Sequence, residues 1–172
     1  MSEGLIFQTH LVLGYAASLL LFGTYVLPWL KAMDRIEAQR VIATFHSFRF
    51  FGLVFLVPGV VGNLPTSFAT FAAYGDFATG LLAMLALMTV RIRPLFWLFV
   101  AVFNLVGLTD ILLDYYHATQ AGLPEMAGQL GATYAIPILY VPILMITHGA
   151  AFYLLLRAQP ARIPATNPVR AS

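Results

Sequence analysis

Long runs without a single Asp, Glu, Lys or Arg dominate this chain. None occurs from Leu5 to Leu30, from Phe50 to Gly75, from Pro94 to Thr109 or from Met126 to Leu156. A helix of about 20 apolar residues covers the roughly 30 Å of a bilayer's hydrocarbon, so such runs read as membrane spans. A soluble domain carries about 45–50% apolar and about 25% charged residues. Here the fractions are 60% and 9% over 172 residues. The absence of cysteine removes disulfides, thiolate metal ligation and cysteine nucleophiles together.

The expected fold class is an all-α, polytopic transmembrane bundle over residues 1–157, with five spans at about 5–30, 41–61, 67–90, 94–116 and 131–156. The tail 158–172, with Pro160, Pro164 and Pro168, is expected to be disordered. Trp29 and Lys31 mark a water boundary after the first span, and a polar connector runs from Lys31 to Arg40. The short turn Arg91-Ile92-Arg93 makes spans three and four an antiparallel hairpin, and Pro137 with Pro142 should bend or unwind the fifth. A four-span alternative lays the second segment along the membrane surface because His46, Ser47 and Arg49 lower its hydrophobicity.

Five spans put Lys31, Arg35, Arg40, Arg91, Arg93, Arg157, Arg162 and Arg170 on one side and no Lys or Arg on the other. The positive-inside rule then places the N-terminus outside and the C-terminus in the cytoplasm, in a multi-pass protein of the cytoplasmic (inner) membrane. The first span lacks a basic leader and is too long for a signal peptide, so it is read as uncleaved. The partner implied is the lipid bilayer, with a homo-oligomer or a place in a membrane complex open; nucleic acid is not a partner. No internal repeat is evident.

Ionisable groups in hydrocarbon cost roughly 2.5–3.5 kcal/mol each on insertion scales, so those within spans are candidate sites. At about 1.5 Å per residue from the cytoplasmic end, Asp76 lies about 21 Å up the third helix and Asp110 about 24 Å up the fourth, with His10 at a similar level. Asn104, Gly107, Asp110, Asp114 and His117 share one face of the fourth helix. Ala69, Ala73, Asp76, Gly80 and Ala83 make a small-residue face on the third that admits a close neighbour. His10, Gly14 and Ala17 form a similar face on the first. Nearer the cytoplasm, His46 and Arg49 on the second helix and Thr147 with His148 on the fifth form a second group, in which Arg49 is read as snorkelling to the inner interface.

Two carboxylates at one depth cannot both ionise cheaply unless a cation sits between them. Asp76 and Asp110, with His10, therefore make a site that binds or conducts a proton, a cation or a small amphipathic ligand, a transport-type role, and Asn104 and, from the second group, Arg49 and His148 are further ligand- or proton-binding candidates. With His10, Asp114 and His117 the carboxylates offer oxygen and nitrogen ligands to a divalent metal. The structural alternative hydrogen-bonds Asp76 and Asp110 to Asn104, Tyr74 or Thr109. A second scheme pairs His10 with His117 and His46 with His148 as axial ligands of haem b in an electron carrier. An enzyme acting on a lipid or isoprenoid and a purely structural membrane subunit complete the alternatives; the sequence leaves enzyme against non-enzyme open. Serine hydrolysis finds no G-x-S-x-G.

Phe48-Arg49-Phe50, Tyr74-Gly75-Asp76, Asn104 with Gly107 and Asp110, and Pro142 with His148 follow in an order that resembles small uncharacterised five-span bacterial membrane proteins. The likeness covers roughly residues 45 to 150. It implies the five-span fold and the choice of these residues, supplies no activity, and does not include His10, Asp114 or His117.

Overall fold

A computed structural model describes residues 1–157; the tail from 158, with Arg162 and Arg170, lies outside the described residues. The described chain is all-α, with an isolated bridge between Pro58 and Val61. Helix α1 spans Glu3–Ala32, α2 Arg35–His46, α3 Thr66–Met88, α4 Arg93–Gln120 and α5 Ile136–Leu156. A 3-10 segment, Ser47–Leu56, follows α2, and short 3-10 turns within Leu123–Thr133, broken by non-helical backbone at Met126 and Gly131, follow α4. Four of the helices, α1, α3, α4 and α5, are long and apolar enough to cross a membrane.

Local chemistry sets the boundaries. Ser2 caps α1, its Oγ accepting from the amide of Leu5, and Asp34 caps α2 by accepting from the amide of Glu37. Pro28 and Pro142 lack amide donors and would collide with the carbonyls four residues back. The chain accommodates both with a π turn, at Phe22–Val26 in α1 and at Ile136–Tyr140 in α5. In α5 this leaves the carbonyl of Ile138 facing α1, where a Cβ on Gly14 would lie 1.9 Å from it. Glycine is required there because α1 packs directly against that oxygen.

Contacts at the two ends fix the direction of each segment. At one end the guanidinium of Arg35 donates to the carbonyl of Arg157 at 2.5 Å, and Lys31 stands 5.0 Å over the ring of Tyr153. At the other, Glu3 accepts from the amide of Gly128, and Gln129 receives the amides of Gly62 and Asn63. The stretch from Arg35 to Gly62 therefore runs from one end of the bundle to the other, packed along α3.

This stretch differs from the continuous helix over 41–61 expected for the second span. It begins at Arg35, inside what was read as a polar connector, and changes from α to 3-10 at Ser47. The 3-10 repeat of three residues per turn brings His46, Arg49, Gly52 and Phe55 onto one buried line, while Phe48, Phe50 and Phe51 point outward.

Two apolar clusters make the core. The one at the Arg35 end includes Leu30, Ile42, Ala83, Phe96, Phe103 and Leu154; the one at the Gln129 end includes Phe7, Phe55, Phe68, Leu123 and Leu130. Between them lies a layer of buried polar side chains, from Arg49, Asp76, Thr79, Asn104, Asp110, Thr147 and His148. The outer surface carries large apolar residues such as Leu20, Trp29, Phe51, Leu98 and Leu105, the distribution expected where lipid replaces water as the solvent.

Candidate functional site

Arg49 is the centre of the polar layer and is 0% exposed. Its Nε donates to Oδ1 of Asp76 at 2.6 Å and its Nη2 to Oδ2 of Asp110 at 2.6 Å. Nη1 donates to the carbonyl of Gly107 and to Nε2 of His148, both at 3.1 Å. A planar guanidinium can serve acceptors on three helices at once, which an ammonium cannot.

The network continues past the arginine. A guanidinium has no lone pair to offer, so Nε2 of His148 accepts and its proton lies on Nδ1, which donates to Oδ1 of Asn104 at 2.9 Å. Asn104 in turn donates from Nδ2 to the carbonyl of Val100 at 2.8 Å. The ring of His46 stacks on that of His148 with centroids 4.0 Å apart. The hydroxyl of Thr147 gives its proton to the carbonyls of Ile143 and Leu144, so it accepts from Nε2 of His46 at 2.9 Å. Nδ1 of His46 is left buried without a partner among the described residues.

Glycines make room for these groups. A Cβ on Gly52 would lie 2.2 Å from Oδ2 of Asp76, one on Gly75 1.6 Å from Oδ1 of Asp110, and one on Gly107 2.6 Å from Nε2 of His148. Gly80 lets the 3-10 segment approach, its Cβ position lying 2.9 Å from the amide nitrogen of Phe50. The carboxylates are thus pressed against bare backbone, with water largely excluded.

Asp76, Asp110, Asn104, Arg49 and His148, all proposed from the sequence as ligand- or proton-binding, come together in this one cluster. Two expectations need correction. Arg49 does not snorkel to the inner interface; it is the cation between the carboxylates. Tyr74 is 58% exposed, Thr109 is exposed as well, and Asn104 bonds Val100 and His148, so none of the three is a partner of the acids. The two polar groups placed at different depths form one layer because the second segment starts six residues earlier than the sequence suggested and rises about 2.0 Å per residue after Ser47. Those lengths put Arg49 about 22 Å from Arg35, level with Asp76 and Asp110.

The remaining candidates lie elsewhere. His10 is exposed and pairs through Nδ1 with the hydroxyl of Tyr134 at 3.0 Å, and Ala17 is exposed too. The inward face of α1 is instead Gly4, Phe7, Gly14 and Ser18. Asp114 and His117 continue outward from Asp110 along α4, His117 against the ring of Phe71, and Asp114 Oδ1 and His117 Nδ1 are buried without partners. Among the described residues no three His, Asp or Glu are grouped to hold a metal ion, and the guanidinium fills the space between Asp76 and Asp110. Bis-histidine haem ligation does not fit either. The His46 and His148 rings stack on each other with no space for a porphyrin, and both nitrogens of His148 are engaged.

Sequence reasoning missed Gly52, the role of Gly75 and the link from Arg49 to both acids. The available signal was the spacing of His46, Arg49, Gly52 and Phe55 by three throughout, a 3-10 period rather than an α-helical one.

No curated protein and no solved structure matches this chain. Residues 6–156 match the family described as Domain of unknown function (DUF8737). That match takes in the helices from the first turn of α1 to the end of α5 and the whole of the Arg49 cluster, and the chain belongs to this family.

Proposed function

We propose that this is a five-span protein of the cytoplasmic membrane that binds or conducts a proton or small cation at the Asp76–Arg49–Asp110 cluster. The observation that carries the reading is a charge imbalance. One guanidinium faces two carboxylates, each 5% exposed, and Oδ1 of Asp110 is buried with no hydrogen-bond partner among the described residues. An uncompensated negative charge in a low-dielectric interior costs several kcal/mol, which a proton or a cation at that oxygen removes. His148 and Asn104 then orient the guanidinium rather than bind the ion themselves.

The placement in the membrane rests on supporting observations. The four apolar helices together with the end-to-end run from Arg35 to Gly62 support five crossings. Lys31, Arg35, Arg40, Arg91, Arg93 and Arg157 then share one side, which the positive-inside rule makes cytoplasmic.

The test is thermal unfolding of the purified protein in nanodiscs across pH and across sodium and potassium concentration. The wild type should show a melting temperature that responds to proton or cation activity, and Asp110→Asn should abolish that response while still folding. Asp76→Asn should alter it. Identical dependence in wild type and both variants would overturn the reading.

A further inference from the structure

A cavity of about 270 Å³ opens beside the polar layer at the Gln129 end of the bundle. Phe7 and Leu11 of α1, Phe55 of the 3-10 segment and Phe68 of α3 form much of its wall, and Pro124 and Ile136 close it from the far end of the chain. The volume is just under the roughly 300–1,000 Å³ of ordinary ligand pockets, enough for a compact apolar body.

Its polar groups are unbalanced in charge. Asp76 and Asp114 both line it beside the neutral Gln8, Tyr115 and Thr119, and no Lys, Arg or His does. Asp76 shares its charge with Arg49 through Oδ1. Asp114 forms no ion pair among the described residues, and its Oδ1 is buried without a hydrogen-bond partner. A buried carboxylate oxygen without a partner lacks the hydrogen bond that buried polar atoms almost always make. Two carboxylates are few for a metal ion held by protein ligands, and most of the remaining wall is apolar. A ligand that brings both an N–H donor with positive charge and an apolar surface satisfies acid and wall together.

We infer that this cavity binds an organic ammonium compound with a compact apolar body, its charged nitrogen set at Asp114 and Asp76 and its body among Phe7, Leu11, Phe55 and Phe68. The inference goes beyond the proton or cation site at Arg49 and shares only Asp76 with it. The decisive residue, Asp114, lies outside that cluster, so the two readings fail separately.

The test titrates adamantylammonium, a rigid apolar cage with one ammonium, into full-length protein in nanodiscs by calorimetry, with empty nanodiscs subtracted and uncharged adamantanol as the comparison. Saturable binding to a single site is expected, weaker by about tenfold or more for adamantanol and for the Asp114→Asn variant, the range a charge-assisted hydrogen bond supplies. Uptake no greater than by empty nanodiscs, equal affinity for the alcohol, or unchanged affinity in Asp114→Asn would each overturn the inference. Should Asp114→Asn fail to fold, Ala118→Phe, which fills the cavity from α4, decides: lost binding supports the site and retained binding overturns it.

Discussion

Arg49 Nη1 stands 3.1 Å from Nε2 of His148, and because only the arginine can donate, the proton of His148 lies on Nδ1. The tautomer is therefore set by the same guanidinium that bridges Asp76 and Asp110. In nitrogen NMR of the histidine-labelled protein, His148 should show the Nδ1–H pattern and His46, which donates from Nε2 to Thr147, the opposite one. Asn104→Leu removes the acceptor for Nδ1–H and should cost about 1–3 kcal/mol, the usual penalty for a buried donor left unpaired. An Nε2–H pattern for His148 in the wild type would contradict the hydrogen bond from Arg49.

Arg49→Lys should be poorly tolerated despite keeping the charge. The guanidinium reaches Asp76, Asp110, Gly107 and His148 from three separate nitrogens, and a single ammonium cannot span them. A loss of about 3–5 kcal/mol is expected, as for breaking a buried ion pair from one side. Arg49→Met should be worse, leaving two facing carboxylates, and adding Asp76→Asn and Asp110→Asn to it should recover much of the loss. Additive losses in the triple variant, measured by unfolding in detergent, would show that the three residues do not act as a unit.

How much of this could be seen in the sequence depends on which physical rule governed each residue. The small-residue face of α3 was visible because Ala69, Ala73, Asp76, Gly80 and Ala83 keep an α-helical period, and all five are buried. Asn104, Gly107 and Asp110 were visible on α4 for the same reason. Arg49 was placed too near the inner interface because its segment was read as α-helical from residue 41. The segment starts six residues earlier, at Arg35, which carries the guanidinium about 9 Å further along the bundle to the level of the acids, while the 3-10 stretch adds only about 1 Å by Arg49 and sets the three-residue register that turns it inward. His10 was misdirected by Gly14: that glycine does face inward, but it serves the carbonyl of Ile138, and the residue four positions earlier lies on the exposed side with Tyr134. No sequence signal distinguishes a glycine that accommodates a neighbouring helix from one that accommodates a carboxylate, so what Gly52 and Gly75 make room for came only from the structure.

Gly75→Ala tests that accommodation. Its Cβ would meet Oδ1 of Asp110 at 1.6 Å, so the carboxylate must leave the guanidinium or the helices must part. Overpacking of this kind costs about 1–3 kcal/mol, and the broken ion pair adds to it. Gly149→Ala, on an exposed face of α5 with nothing within 4 Å of the new methyl, should instead be neutral or stabilise by about 0.5–1 kcal/mol. Equal effects at the two positions would mean that space around Asp110 is not limiting.

The number of crossings can be tested directly because the chain has no cysteine of its own, so a single introduced thiol reports one position. Ala32, Ser67, Ile92 and Gln120 are exposed and lie at or beside the ends of α1, α3 and α4. If the stretch from Arg35 to Gly62 crosses the bilayer, Ser67 is on the side opposite Ala32, and Gln120 is opposite Ile92. In the proposed orientation, with Lys and Arg gathered on the cytoplasmic side, Ala32 and Ile92 face the cytoplasm. A membrane-impermeant maleimide should then label Ser67→Cys and Gln120→Cys in intact cells, and Ala32→Cys and Ile92→Cys only after permeabilisation. Were the second segment to lie along the surface, Ala32 and Ser67 would label together, and the carboxylates of Asp76 and Asp110 would have to be reached from a membrane of four crossings. Opposite labelling of Ala32 and Ser67 places the Arg49 segment across the hydrocarbon, where an unbalanced carboxylate is most costly and a bound proton or cation most strongly favoured.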